Sequence, residues 1–129
     1  MPELNALGIA VSDMAASIRF YRLLGLDVPE TPEEGHVDAF LPNGVRFMLD
    51  SEEIIRSFLP DWSRQDGNQI SLALECASPS EVDEIYARVT SAGFEGEKEP
   101  WDAVWGQRYA LLGDPDGVRV NLYAALENG

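Results

Sequence analysis

The chain has 129 residues, a length that favours one compact domain over two independent cores. Nine Lys and Arg residues against 23 Asp and Glu residues give a formal charge of −14, which opposes binding to nucleic acid or to an anionic membrane surface. One cysteine and one histidine exclude an intrachain disulfide and argue against a Cys/His zinc site. The N-terminus lacks the basic start and apolar run of a signal peptide, so we expect a cytoplasmic protein.

The first half of the chain has the pattern of a strand, a helix and a strand hairpin. Residues 7–11 are a short apolar strand, and Ser12 or Asp13 can cap the helix that follows. Apolar side chains recur at helical spacing in that helix, at Met14, Ile18, Tyr21 and Leu24. Gly25 is typical of a left-handed helix end, and Asn43-Gly44 indicates a hairpin turn between alternating strands.

The second half of the chain repeats this order. Residues 72–76 match residues 7–11 at an offset of 65, residues 106–112 match 35–41 at an offset of 71, and Gly117 matches Gly44 at an offset of 73. The repeat predicts an α+β fold in which two βαβββ modules form a curved mixed sheet with a concave cavity. We expect a single domain over residues 1–129, with modules at about 4–50 and 69–125. Residues 51–68 link the modules and begin with a short helix.

Alternation along the strands assigns side chains to the two sheet faces. Residues 7, 9 and 11 are large and apolar and should face the helix, whereas residues 6, 8 and 10 are small and leave volume on the other face. That second face also receives polar, aromatic and flexible side chains, at Asp38, Phe40, Arg46, Met48, Asp50, Tyr109, Asn121 and Tyr123. It can line a small-molecule site or pack against another sheet or a second subunit, and periodicity favours neither.

Tryptophans lie outside the apolar stripes. Trp62 falls in the linker after Phe58, and Trp101 and Trp105 fall in the loop before the seventh strand. Flat rings can sandwich a planar compound and gain about 0.5–1.5 kcal/mol per stack, although packing within a hairpin or a dimer is the alternative. Cys76 is expected to be a buried, inert thiol, and His36 a partly exposed histidine at a strand edge.

Two motifs carry a resemblance to a known family. The sequence LGIAVSD at residues 7–13 and GDPDG at 113–117, in this paired arrangement, resemble the vicinal oxygen chelate superfamily of glyoxalases, extradiol dioxygenases and bleomycin-resistance proteins. Residues 100–110 (PWDAVWGQRYA) and 56–62 (RSFLPDW) resemble its antibiotic-sequestering branch, above all the mitomycin-binding resistance proteins. The resemblance implies a metal-free homodimer whose ligand crypts lie at the interface, each built from one unit of each chain.

The resemblance also locates a metal site. Enzymes of this superfamily hold a divalent metal with four strand side chains, usually His, Glu, His and Glu, and the matching positions are Ala6, Met48, Ser71 and Asn121. Hard divalent cations prefer carboxylates and imidazoles. We therefore expect no metal, no cofactor and no metal-assisted reaction.

The sequence and the resemblance together predict metal-independent sequestration of a planar hydrophobic antibiotic or related natural product, which would confer drug resistance. The candidate ligand-binding residues are Asp38, Phe40, Arg46, Met48, Phe58, Trp62, Trp101, Trp105, Tyr109, Asn121 and Tyr123. One alternative is a metal-free enzyme that acts on a small biosynthetic intermediate with Asp38 or His36 as the base. Another is a plain dimer whose cavity is vestigial.

Overall fold

The computed structural model describes residues 1–65 and 69–126, which divide after Gln65 into two compact units. The first unit contains β1 (Ala6–Val11), α1 (Met14–Leu23), β2 (His36–Phe40), β3 (Arg46–Ser51) and α2 (Glu52–Phe58). The second contains β4 (Ser71–Glu75), α3 (Pro79–Ser91), β5 (Glu95–Ala103), β6 (Gln107–Gly113) and β7 (Arg119–Ala125). The predicted α+β class, the repeat and the short helix at the start of the linker are confirmed.

The first unit is a three-stranded sheet with α1 on one face. The strand order is β1-β3-β2, with β1 parallel and β2 antiparallel to β3. Asp13 caps α1, since its Oδ1 accepts a hydrogen bond from Ala16 N at 3.1 Å. Tyr21 is fully buried and meets Phe20 and Phe47 edge to face, with ring centroids 4.9 and 4.8 Å away. These aromatic side chains form the core between the helix and the sheet.

The first unit has three strands among its described residues, where the repeat predicts four. Residues 26–34, which occupy the place of β5, form an irregular segment. Pro29 and Pro32 lie in this segment and cannot donate backbone hydrogen bonds to a neighbouring strand. β5 accommodates Pro100 because it is an edge strand with a register shift between Lys98 and Trp101.

The second unit is a four-stranded sheet in the order β4-β7-β6-β5, with β4 parallel to β7. Ser78 Oγ accepts a hydrogen bond from Glu81 N at 3.2 Å, and the Glu81 carboxylate accepts one from Ala77 N at 2.9 Å, which together cap α3. The core of this unit is apolar and joins α3 to the sheet through Val82, Ile85, Val89, Val120 and Leu122. Within residues 1–65 and 69–126, no helix is long and apolar enough to cross a bilayer.

The two hairpins match at a single offset of 73, which corrects the offset of 71 expected for the first strand of each. The paired residues are Phe40 with Arg46 in one hairpin and Gly113 with Arg119 in the other. Gly44 and Gly117 take the same place in the two turns, with φ values of +90° and +86° that favour glycine. The position of the turn therefore sets which residues pair across each hairpin. The sequence similarity between residues 35–41 and 106–112 does not predict that pairing.

Candidate functional site

Four of the predicted site residues lie on one face of the first sheet, opposite α1. Met48 on the central strand pairs with Asp38 on one side and with Gly8 on the other, and Phe40 pairs with Arg46. Phe40 is 76% exposed, and a Cβ atom at Gly8 would lie 3.3 Å from Met48 Cε. Because Gly8 has no side chain, the flexible Met48 side chain can occupy the space beside it, as the alternation of side chains along β1 predicts.

A polar cluster of His36, Asp38, Arg46 and Asp50 lies on the same face. His36 Nδ1 is hydrogen-bonded with Asp50, and His36 Nε2 lies 2.9 Å from Asp38 Oδ1. Arg46 is 3.9 Å from the same Asp38 oxygen. The hydrogen bond with Asp50, followed by that with Asp38, raises the pKa of His36 above its usual 6.5 despite some burial. Two carboxylates therefore orient the His36 ring.

Phe58 is the last residue of α2, which directly follows β3, and Trp62 lies in the segment after α2. Two guanidinium groups lie over the Trp62 ring, with the Arg56 and Arg64 Cζ atoms 5.5 and 5.9 Å from its centroid. Glu52 accepts hydrogen bonds from both arginines. Phe58 is 64% exposed. Trp62 is thus held by cationic side chains of its own unit.

Four aromatic rings of the second unit, Trp101, Trp105, Tyr109 and Tyr123, form one continuous group, here called the aromatic cluster. Register places Trp101 opposite Tyr109 and Tyr109 opposite Tyr123. Trp101, Trp105 and Tyr109 meet edge to face with centroids 5.3–6.0 Å apart, and Tyr123 stacks on Tyr109 at 6.1 Å. Trp101 lies within β5 and not in a loop, because its backbone pairs with β6. Only Trp105 lies in the turn, where it is 57% exposed.

Polar side chains border the aromatic cluster. Trp105 Nε1 donates to Gln107 Oε1 at 3.0 Å, and Asn121 Nδ2 donates to the Tyr109 hydroxyl at 3.0 Å. The Lys98 ammonium group lies 4.2 Å from the Trp101 centroid. The cluster therefore combines flat apolar surfaces with a buried amide and a nearby positive charge, which suits a planar compound with a few polar groups.

The four positions that the resemblance assigns to a metal do not supply a suitable set of ligands. Ala6 has no donor atom and Met48 has only a soft thioether, whereas hard divalent cations prefer carboxylates and imidazoles. Ser71 and Asn121 offer only neutral oxygen atoms, which are weak ligands for such a cation. Across the part of the chain that the structure describes, no group of three or more His, Cys, Asp or Glu side chains is arranged to hold a metal ion. The side chains at these four positions therefore do not fit a hard divalent metal ion.

Two surface grooves of about 420 and 640 Å³ lie in the first unit. Arg22 and Glu30 border the smaller groove, and Glu33 and Arg56 border the larger one. Neither groove is lined by a predicted ligand-binding residue. The aromatic cluster offers four contiguous rings for contacts with a ligand, and no aromatic side chain of the described residues lines either groove. The aromatic cluster therefore remains the stronger candidate site.

Comparison with known proteins places the chain in a family. The model of the glyoxalase/bleomycin resistance protein/dioxygenase superfamily matches residues 3–122. A glyoxalase/bleomycin resistance protein/dioxygenase from Nocardioides is 29% identical, with 100% of this chain and 87% of that chain covered and a TM-score of 0.77. Protein ATC0852 from Agrobacterium tumefaciens is 27% identical, with coverage of 97% and 98% and a TM-score of 0.74.

A family enzyme from Burkholderia phytofirmans PsJN shares the fold, with 19% identity, coverage of 97% and 100%, and a TM-score of 0.83. No curated protein sequence matches the chain. The family model spans nearly the whole chain, including both repeat units. The protein therefore belongs to the glyoxalase/bleomycin resistance protein/dioxygenase superfamily.

Proposed function

We propose that this protein binds a planar, hydrophobic antibiotic or related natural product and sequesters it without altering it. The observation that supports this most directly is the aromatic cluster, whose four rings lie with neighbouring centroids 5.3–6.1 Å apart. Each further stack with a ligand ring contributes about 0.5–1.5 kcal/mol beyond the burial of apolar area. Trp105, 57% exposed, is the most accessible ring of this surface.

Protection by sequestration is stoichiometric, so the affinity must be high. A micromolar dissociation constant corresponds to about −8.2 kcal/mol, more than two or three ring stacks supply. The proposal therefore includes burial of the ligand in a crypt at a homodimer interface, as the family resemblance implies. The formal charge of −14 favours the approach of basic compounds.

Metal independence is part of the same proposal. It is supported by Ala6 and Met48, which replace ligand types that a divalent cation requires. Binding should therefore persist after treatment with a chelator. The proposed ligand contacts are led by the aromatic cluster and Asn121, with the candidates of the first unit contributing through the partner copy.

A titration with a matched pair of variants tests the proposal. Chelator-treated wild type, Trp105→Ala and Val104→Ala are titrated with quinone and glycopeptide antibiotics while tryptophan fluorescence is followed. Val104 is fully exposed beside Trp105 and outside the cluster, so its loss controls for disturbance of the turn. We expect saturable binding in wild type and Val104→Ala, and at least tenfold weaker binding in Trp105→Ala. Equal affinity in all three proteins would refute a role for the cluster.

One observation favours a second function, a metal-free enzyme. His36 lies between Asp38 and Asp50, an arrangement that orients an imidazole for proton transfer. Because the raised pKa favours the protonated ring, His36 suits the role of a proton donor better than that of a base. Consumption of substrate over many turnovers, with a loss of kcat but not of binding in His36→Gln, would establish this function in place of sequestration.

A further inference from the structure

One buried polar atom beside the aromatic cluster lacks a hydrogen-bond partner among the residues that the structure describes. Asn121 is 9% exposed and its Nδ2 donates to the Tyr109 hydroxyl at 3.0 Å. Its Oδ1 is shielded from solvent and accepts no hydrogen bond from any residue in the ranges 1–65 and 69–126. Buried amide oxygens almost always accept at least one hydrogen bond, so this carbonyl requires an explanation.

The neighbours of Asn121 on its own sheet explain why the carbonyl is unpartnered. Its register partners are Ala73 on β4 and Leu111 on β6, and neither side chain carries a donor. Arg119, two residues before it on β7, donates to Glu97 through Nε at 3.2 Å and Nη2 at 2.6 Å. The one strong cationic donor beside Asn121 in this strand is therefore committed to another acceptor.

Tyr109 also limits how the amide can reorient. The two polar atoms of the amide diverge from one carbon, so a hydrogen bond that holds Nδ2 also fixes the direction of Oδ1. Tyr109 is itself fixed by contacts with Trp101, Trp105 and Tyr123. The amide is thus fixed in advance by a hydrogen bond to one ring of the proposed binding surface.

We infer that Asn121 Oδ1 selects ligands that carry an N–H or O–H donor at the edge of a planar ring system. This inference rests on the proposed function and names the chemical class within it. A bound compound with such a donor satisfies the carbonyl, whereas one without it leaves the carbonyl buried and unpaired. One neutral hydrogen bond of this kind corresponds to about a tenfold preference in affinity.

Two probes of nearly equal size test the inference. Chelator-treated protein is titrated with 2-aminoanthraquinone, which has an N–H donor, and with 2-methylanthraquinone, which has a methyl group in its place. We expect wild type to prefer the amino compound about tenfold and Asn121→Leu to show a ratio near one. Asn5→Leu makes the same chemical change at an exposed residue and should keep the wild-type ratio.

A second variant guards against misfolding of Asn121→Leu. Tyr109→Phe keeps the ring but releases Nδ2, so the amide can turn and the preference for the amino compound should fall. A wild-type ratio near one, or a preference that survives in Asn121→Leu or is unchanged in Tyr109→Phe, would overturn the inference. Binding of the methyl compound to wild type would still support the proposed function in those cases. If neither compound binds, the proposed function fails and the inference fails with it.

Discussion

The protonation of His36 should couple pH to the stability of the protein. In the folded chain, hydrogen bonds with Asp50 and Asp38 raise the pKa of His36, whereas in the unfolded chain these partners separate and the pKa returns to about 6.5. The folded state therefore holds the proton more tightly. Its contribution to the free energy of unfolding is complete below about pH 6.5 and disappears as the pH rises through the raised pKa.

The size of this contribution follows from the exposure of the groups. The His36 side chain is 42% exposed, and those of Asp38 and Asp50 are 29% and 22% exposed. Ion pairs open to solvent typically contribute about 0.2–1 kcal/mol each, so we expect about 1 kcal/mol in total after solvent screening. For a chain of this length, that corresponds to a change in Tm of roughly 3–5 °C.

Two measurements check the coupling. Thermal unfolding of wild type and His36→Gln at constant ionic strength, from about pH 5.5 to 9, should show the Tm difference shrinking as the pH rises. His36 is the sole histidine of the chain, so a single imidazole proton signal in an NMR titration reports its pKa without assignment. A pKa at or below 6.5, or a Tm difference that does not depend on pH, would refute the reasoning.

Three further predictions concern buried residues within each unit. Leu122 is fully buried, so Leu122→Ala should lower the free energy of unfolding by about 2–5 kcal/mol in urea titrations, and a loss below 1 kcal/mol would contradict the described core. Ser17 Oγ is buried without a partner among the described residues, so Ser17→Ala should raise the free energy of unfolding by about 1 kcal/mol. Ser91 is exposed on α3, and an equal gain in Ser91→Ala would show that helix propensity causes the effect instead. Burial raises the pKa of Cys76 to about 11, so a thiol reagent at pH 8 should react slowly until urea is added, and rapid labelling of the native protein would contradict this burial.

The architecture follows largely from local patterns. Helical spacing correctly buries Met14, Ile18, Tyr21 and Leu24, and strand alternation correctly places Ile9 and Val11 in the core. Gly25 ends α1 with a φ of +98°, as a left-handed helix end requires. These features depend on neighbouring residues in the sequence and on burial of one face, which is why one sequence suffices to predict them.

The contacts within the candidate site depend on register between strands. An offset of 71 matches Asp38 to Tyr109, whereas the pairing of the hairpins matches His36 to Tyr109 at an offset of 73. Within the first hairpin, His36 lies directly opposite Asp50, a contact that matching the two repeats does not reveal. The sequence thus indicates which residues share a face, but not which of them touch.

The missing fourth strand and the unpartnered amide show two other limits. Repetition alone predicts a strand at residues 26–34, but Pro29 and Pro32 outweigh it locally. The burial of Asn121 Oδ1 depends on three strands and on the ring of Tyr109, which no local pattern encodes. Both features arise where backbone chemistry or tertiary packing overrides the periodic pattern.

A mass balance of the bound compound tests the central claim most directly. Chelator-treated protein is incubated with a large molar excess of the tightest-binding quinone, and the compound is extracted and quantified by mass spectrometry after a time much longer than binding requires. Sequestration predicts saturable binding with a fixed stoichiometry and full recovery of the unchanged compound. Conversion of many equivalents of compound per protein would contradict sequestration and identify the chain as an enzyme.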